Sequence, residues 1–247
     1  MRTLKLTVQY DGTDFVGWQR QDAGVSIQGL IEDALARIEG RAVTVHGAGR
    51  TDAGVHALGQ VASVRVANAL DAQTLRRALN ATLPETVRVA DVADVADAFH
   101  ARFSARAKTY EYRLWNGPFV PPFVRRYVWH IPPPLDVDAM RAAAAALEGE
   151  HDFAAFRTLG GAAGPTVRRV GPLSWNTNSA DPASIVFAIT GDGFLRHMVR
   201  TMVGTLVDVG LHRRPAADVA RILESRDRAR AGVTAPPSGL FLVGVHY

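Results

Sequence analysis

Residues 46–66 read HGAGRTDAGVHALGQVASVRV. The second half, GQVASVRV over 59–66, mixes apolar and polar residues with the period of two that marks a half-buried strand. AVTVH at 42–46 gives a second strand on the near side. The loop between them gathers Gly47, Gly49 and Gly54 around Arg50, Asp52 and His56. Such a loop is either a tight turn or a place where a ligand approaches the backbone, because glycine accepts positive φ and close contact at no steric cost.

Working outward from this hairpin gives the fold class. Upstream, TLKLTVQY (3–10) is a strand stopped by Asp11-Gly12. Ser26 is an N-cap, followed by one helical face of Ile27, Leu30, Ile31, Ala34, Leu35 and Ile38 as far as Gly40. Downstream come a helix around Asp71 to Asn80 and a strand TVRVADV (86–92). A second cycle opens with the strand KTYEYRLW (108–115). A helix LDVDAMRAAAAALEG (135–149) follows, with Asp136 near its start and Gly149 just past its end. Paired strands PTVRRVGPLSW (165–175) and SIVFAIT (184–190) precede a helix FLRHMVRTMVGTLVDVG (194–210). A short helix AADVARILESR (216–226) behind Pro215 and the strand GLFLVGVHY (239–247) complete the chain. Antiparallel strands with helices on one side predict an α+β fold. The two cycles predict two halves, 1–105 and 106–247, with a cleft between them lined by residues 46–60.

Composition narrows the chemistry. With 247 residues and 47% hydrophobic the chain can bury a sizeable core, and no apolar run nears the ~18 residues that span a bilayer. The expectation is a cytoplasmic protein. There is no Cys, which removes disulfides, thiolate nucleophiles and Cys-ligated metals. Lys5 and Lys108 are the only lysines in a chain of net charge +4. Arginine offers a planar fork suited to phosphates and bases, so its dominance favours a nucleic-acid partner, although an Arg- and Ala-rich codon usage explains the composition equally well.

GAGRTDAG fits neither common phosphate loop. The dinucleotide fingerprint needs Gly where Asp52 stands, and a P-loop needs Gly-Lys before Ser or Thr. A metal site from His46, Asp52 and His56 calls for a helix that the flanking glycines disfavour. No Ser sits at a strand-to-helix elbow to build a Ser-His-Asp triad. What remains is Asp52 used as a carboxylate, with Arg50 either paired to it or facing a phosphate. A lone Asp in a Gly-rich turn more often caps its own turn.

The motif as a whole changes that balance. GRTDAGVHA (49–57) resembles the active-site motif of the TruA family of tRNA pseudouridine synthases. The resemblance continues, in order, through YDGTDFVGWQRQ (10–21), SIQGLIEDAL (26–35), HARFSARAKTYEYRLWN (100–116), FLRHMVRTMVGTL (194–206) and GLFLVGV (239–245). It implies a pseudouridine synthase fold: two ferredoxin-like, RNP-like halves forming a continuous, mostly antiparallel sheet with helices packed on it. It implies isomerisation of uridine to pseudouridine at positions 38, 39 and 40 of the tRNA anticodon arm, by a homodimer, with no metal and no cofactor.

By the same resemblance Asp52 is the catalytic aspartate, acting at C6 of the base or at C1′ of the ribose. Arg50 is the residue that intrudes to hold the flipped nucleotide. Tyr110 packs on the uracil face, Arg200 pairs with the catalytic carboxylate, and Leu240 lines the uracil pocket. Trp18 and Gln19 also match, with Trp18 expected in the core. Phe241 stands where the family often has Tyr. Arg20, Arg168, Arg169, Arg213 and Arg214 are candidates for phosphate contact. The alternatives are a non-catalytic RNA-binding module, which lacks its aromatic strand motif here, and a synthase acting on another RNA. A metal-dependent hydrolase built on His46, Asp52 and His56 is the third.

Overall fold

The computed structural model describes residues 1–158, 164–178 and 181–247. Its strands are β1 (Arg2–Tyr10), β2 (Val45–Gly47), β3 (His56–Val66), β4 (Val87–Val95), β5 (Ala107–Trp115), β6 (Trp129–His130), β7 (Gly149–Asp152), β8 (Val167–Asn178), β9 (Asp181–Gly191) and β10 (Leu240–His246). Its α-helices are α1 (Ile27–Glu39), α2 (Ala72–Thr82), α3 (Val137–Ala144), α4 (Met198–Gly210) and α5 (Asp218–Ser225). The fold is α+β. Two compact units are present, residues 1–106 with 241–247, and residues 107–240.

In the first unit β1 pairs antiparallel with both β3 and β4. The far side of β3 is shared: β2 pairs antiparallel with its second half, Val45 opposite Val64, and β10 runs parallel to its start, Phe241 opposite His56. Strand alternation places Leu4, Leu6 and Val8 of β1 level with Val64, Ala62 and Gln60 of β3, and all six are buried. Helices α1 and α2 add Ile31, Leu35, Leu75 and Leu79 to this core, each with no exposed surface. The Ser26 hydroxyl accepts the Gly29 N–H, and Gly40 closes α1 in the left-handed region at φ 67°. A second, smaller core forms from Ala48, Val61 and Ala101, with Phe99, Val245 and Tyr247 packed on it.

The second unit has the strand order β5-β9-β8-β7, antiparallel throughout, with β6 running parallel to β5. Helix α4 is buried nearly all round, from Met198 to Gly210. A strap at residues 232–235 lies along it: the Thr205 hydroxyl accepts the Gly232 N–H at 2.9 Å and donates to the Thr201 carbonyl at 2.8 Å. The approach is so close that a β-carbon on Gly204 would stand 1.9 Å from the Val233 carbonyl oxygen.

Several boundaries differ from the sequence expectation. Strand β2 is only Val45–Gly47, and β3 begins three residues before Gly59, at His56. Helix α3 ends at Ala144 and passes through a 3₁₀ turn, and Gly149 opens β7 instead of capping a helix. Pairing of Gly149 with Val170 draws this segment into the sheet despite its alanine run. Helix α4 starts at Met198 because His197 takes the left-handed conformation, φ 62°, which a right-handed helix excludes. Pro215 lies in the turn before α5, where its carbonyl accepts the Asp218 N–H, and is not the first helical residue.

Candidate active-site loop and its supports

The loop between β2 and β3 is held by the segment that follows β1. Thr51 is buried; its hydroxyl lies 2.8 Å from the Tyr10 hydroxyl, and its carbonyl accepts the Trp18 N–H at 3.1 Å. Gln60 donates to the Gly49 carbonyl at 2.9 Å, Ala48 N–H to Val61 at 2.7 Å, and Gly54 N–H to Phe15 at 3.4 Å. Val55 N–H closes a turn on the Asp52 carbonyl at 3.1 Å. Bonds made by its neighbours and by its own carbonyl thus hold the Asp52 backbone in place. Asp52 is half-buried, Arg50 exposed, and Thr51 between them is turned inward.

Of the three loop glycines, Gly54 alone has positive φ, 77°. Gly47 is required for another reason: a β-carbon there would stand 2.5 Å from the indole of Trp18, which is 2% exposed. Trp18 is thus the buried residue the sequence suggested, and it forms the floor beneath the start of the loop.

Arg50 does not pair with Asp52. Its Nε donates to Gln19 Oε1 at 3.1 Å, and Gln19 in turn donates to Gln28 Oε1 at 2.7 Å. Gln28, on α1, is a buried amide with all four of its hydrogen-bonding positions filled: its Nε2 donates to Val45 O and Glu32 Oε1, and its Oε1 also accepts the Arg20 N–H. This relay, from α1 to Arg50, went unread in the sequence. Both glutamines lie in segments quoted above, but nothing local reveals that they meet. Gln28→Leu is expected to cost about 3 kcal/mol, since it strands several buried partners, and to loosen Arg50. Urea unfolding measures the first effect, and tRNA affinity the second.

Tyr10 is the other support. Burial pushes its phenol up to about 12, partly offset by its hydrogen bonds with Thr51 and Gln60. Burial likewise raises Tyr112 and Tyr247 above the ordinary phenol value. A raised phenol pKa means that the folded chain holds a proton which the unfolded chain releases near pH 10, so this stability is complete below about pH 10 and is lost as pH rises toward 12. Thermal melts are expected to fall steeply above pH 10, and Tyr10→Phe should flatten that fall.

His56 is buried at the start of β3. Its Nδ1 accepts the Gly12 N–H at 3.0 Å, and its ring stacks on Phe241 with centroids 4.6 Å apart. His46 is exposed, and its ring packs against His100 at 4.9 Å. Among the described residues no three His, Asp or Glu side chains gather at metal-binding distance.

The remaining site candidates lie in the second unit. Tyr110 of β5 is 7% exposed and meets Phe194 edge-on at 5.2 Å. Tyr112, on the same strand face, donates to the Pro236 carbonyl at 2.7 Å. Arg200 on α4 is bracketed by the strap: its Nε donates to the Ala235 carbonyl at 2.7 Å, and its own carbonyl accepts the Ala235 N–H at 3.1 Å. Arg196, a helical partner of Arg200 by spacing, precedes α4 instead. Leu240 is buried at the first residue of β10.

The arginines marked for phosphate contact are engaged within the protein. Arg20 binds Glu32 at 2.7 Å and Asp33 at 2.6 Å, Arg169 binds Glu150 at 3.3 Å, and Arg214 reaches Asp208 at 3.5 Å. Arg168 donates to the Pro165 carbonyl, and Arg213 stands 3.9 Å from Asp208.

Comparison with known proteins decides what this loop belongs to. The family model described as tRNA pseudouridine synthase matches residues 6–104 and 143–247. The chain belongs to the tRNA pseudouridine synthase family. It is 44% identical over 247 residues to the tRNA pseudouridine synthase A of Pelobacter propionicus, covering all of both chains. It is 48% identical to that of Myxococcus xanthus, covering all of this chain and 92% of the other. To that of Thermoanaerobacter sp. it is 43% identical, again over the full length of both. The chain is accordingly an isomerase that converts uridine in tRNA to pseudouridine. Among the described residues, no helix is long and apolar enough to cross a membrane.

Proposed function

We propose that the chain acts on uridines 38, 39 and 40 of the tRNA anticodon stem-loop, in the cytoplasm and as a homodimer, with Asp52 as the nucleophile. The observation that carries this reading is the loop itself. Arg50 and Asp52 flank a residue that is pinned through both its hydroxyl and its carbonyl, and the whole arrangement lies inside the span matched by the family. A carboxylate whose backbone is held by others is positioned before substrate arrives, which is what nucleophilic attack needs.

The chemistry is an isomerisation. The N1–C1′ bond breaks, the freed uracil turns, C5 bonds to C1′, and the C5 hydrogen leaves as a proton while N1 gains one. Asp52 supplies the electron pair, at C6 or at C1′. A uridine must first leave its stack, which costs a few kcal/mol. Arg50, exposed and held through Nε by Gln19, is suited to occupy the vacated space. Tyr110 and Leu240 are the substrate-binding residues of this reading, and Arg200, steadied by the strap, is counted among its catalytic residues. The reading takes the chain as two halves, 1–105 and 106–247, and requires neither a metal nor a cofactor.

The test is tritium release from tRNA labelled at C5 of uridine. Release is expected from tRNA with uridine at 38, 39 or 40, and none when all three are cytidine. Release that persisted from the substituted tRNA would move the target elsewhere in the molecule.

A further inference from the structure

We propose that His46, His100 and Phe103 form a stacking platform for an unpaired base of the tRNA, with Arg102 and Arg106 holding the adjoining phosphates. This rests on tRNA as the substrate, and it concerns residues outside the loop that carries Asp52.

Three rings form a ladder. His46 and His100 have centroids 4.9 Å apart at 32°, and His100 and Phe103 4.4 Å apart at 37°. The guanidinium carbon of Arg102 stands 5.6 Å from the Phe103 ring centre. Phe103 is nevertheless 76% exposed. A large ring left in water ordinarily sits on a loose loop, but this one does not.

The turn beneath it is tied down on every side. Ser104 N–H donates to the His100 carbonyl at 2.9 Å, and His100 N–H to the Ser104 hydroxyl at 3.1 Å. Ala101, with no exposed surface, donates to the Ser63 hydroxyl at 3.0 Å and accepts from Tyr247 at 2.8 Å. The Arg102 N–H donates to His100 Nδ1 at 3.1 Å, which places the proton of the neutral ring on Nε2. Burial, reinforced by the neighbouring His46 and Arg102, holds His100 below its ordinary pKa, which favours the neutral ring on the middle rung. The result is a rigid aromatic surface already in place, which spares the ordering cost of binding.

Charge selects the partner. Arg102 and Arg106 are exposed, and neither side chain bonds to a carboxylate among the described residues, in contrast to Arg20, Arg169 and Arg214. An exposed aromatic ring with the Arg102 guanidinium over it, and a second exposed arginine three residues on, complements a base and its flanking phosphates, the arrangement by which unpaired RNA is held.

The test is equilibrium binding of the full chain to substrate tRNA. Phe103→Ala is expected to weaken binding roughly ten-fold, the usual loss of one base–aromatic stack, and Phe103→Trp to restore it. Arg102→Gln should make the slope of log K against log salt shallower by about 0.7 to 0.9, one phosphate's share, while Phe103→Ala leaves that slope in place. With 2-aminopurine placed in turn at each unpaired position, one position should lose its quenching in Phe103→Ala. Binding by Phe103→Ala within about two-fold of wild type overturns the proposal, as that is well below one stacking interaction. So does an affinity loss that sedimentation traces to broken self-association, which would make this face a contact between copies of the chain. Failure of the Asp52 assignment would show separately, as turnover by Asp52→Asn, and these variants do not touch it.

Discussion

Asp52→Asn is expected to bind substrate tRNA and to release no measurable tritium from it, a loss of about 10⁴-fold or more, as befits removal of an essential nucleophile. The amide has the shape of the carboxylate, and bonds through Thr51, Gly49, Gly54 and the Asp52 backbone carbonyl, which help hold the loop, are left in place by the substitution. A lost turnover with retained fold and retained tRNA binding therefore isolates the electron pair. Adding chelator to the wild type gives the matching control, because a metal-dependent hydrolase would be silenced and a carboxylate nucleophile would not. Near-normal tritium release by the Asn chain would falsify the assignment and direct attention to another group.

The second large effect comes from a residue with no side chain. Gly17 has φ 104°, and a β-carbon there would stand 2.5 Å from the Thr51 carbonyl oxygen and 3.0 Å from the Asp52 carbonyl carbon. Gly17→Ala adds backbone strain of about 1–3 kcal/mol to a steric conflict of similar size, so a loss of roughly 3–5 kcal/mol and a melting point lower by about 10 °C are expected. The conflict is relieved only by pushing Thr51 and Asp52 away, and a displacement near 1 Å at a reacting group costs about 10²-fold in rate. Gly40→Ala provides the comparison. Its φ is also positive, 67°, but nothing lies within 4 Å of the added carbon, so it should lose about 1 kcal/mol of stability and no activity. If Gly17→Ala behaved like Gly40→Ala, the loop would not be seated on the 10–19 segment as described.

Local signals were legible in the sequence and long-range ones were not. Ser26 and Gly40 announce α1 because capping depends on residues within one turn, and the structure places both where the pattern put them. The alanine run after Asp136 also reads as helix to Gly149, yet β7 forms there since its partner, Val170, lies in a distant strand. His197 looks like an interior helical residue, and its left-handed backbone goes with a side chain 3.0 Å from Thr158. The loop chemistry divides in the same way. Arg50 and Asp52 stand out in GRTDAG, but the roles of Tyr10, Gly17 and Gln28 depend on chain segments meeting. Phe103 was visible only as part of a family-like stretch, because exposure and ring stacking leave no periodic trace.

The two-sided pairing of β3 also bears on synthesis. Its start is completed by Phe241 and Leu242, while residues 107–240 form the other compact unit. During translation the hairpin bearing Asp52 therefore emerges long before the strand that finishes its sheet, and until then the nascent chain presents an unpaired strand edge, a known route to misassociation. A ribosome that stops within the second unit would leave a product able to form β1, β3 and β4 but lacking both this last pairing and the Tyr247 tie to Ala101. Such truncated products should be poor folders and ready substrates for proteolysis, so a catalytically competent N-terminal fragment is not expected to accumulate.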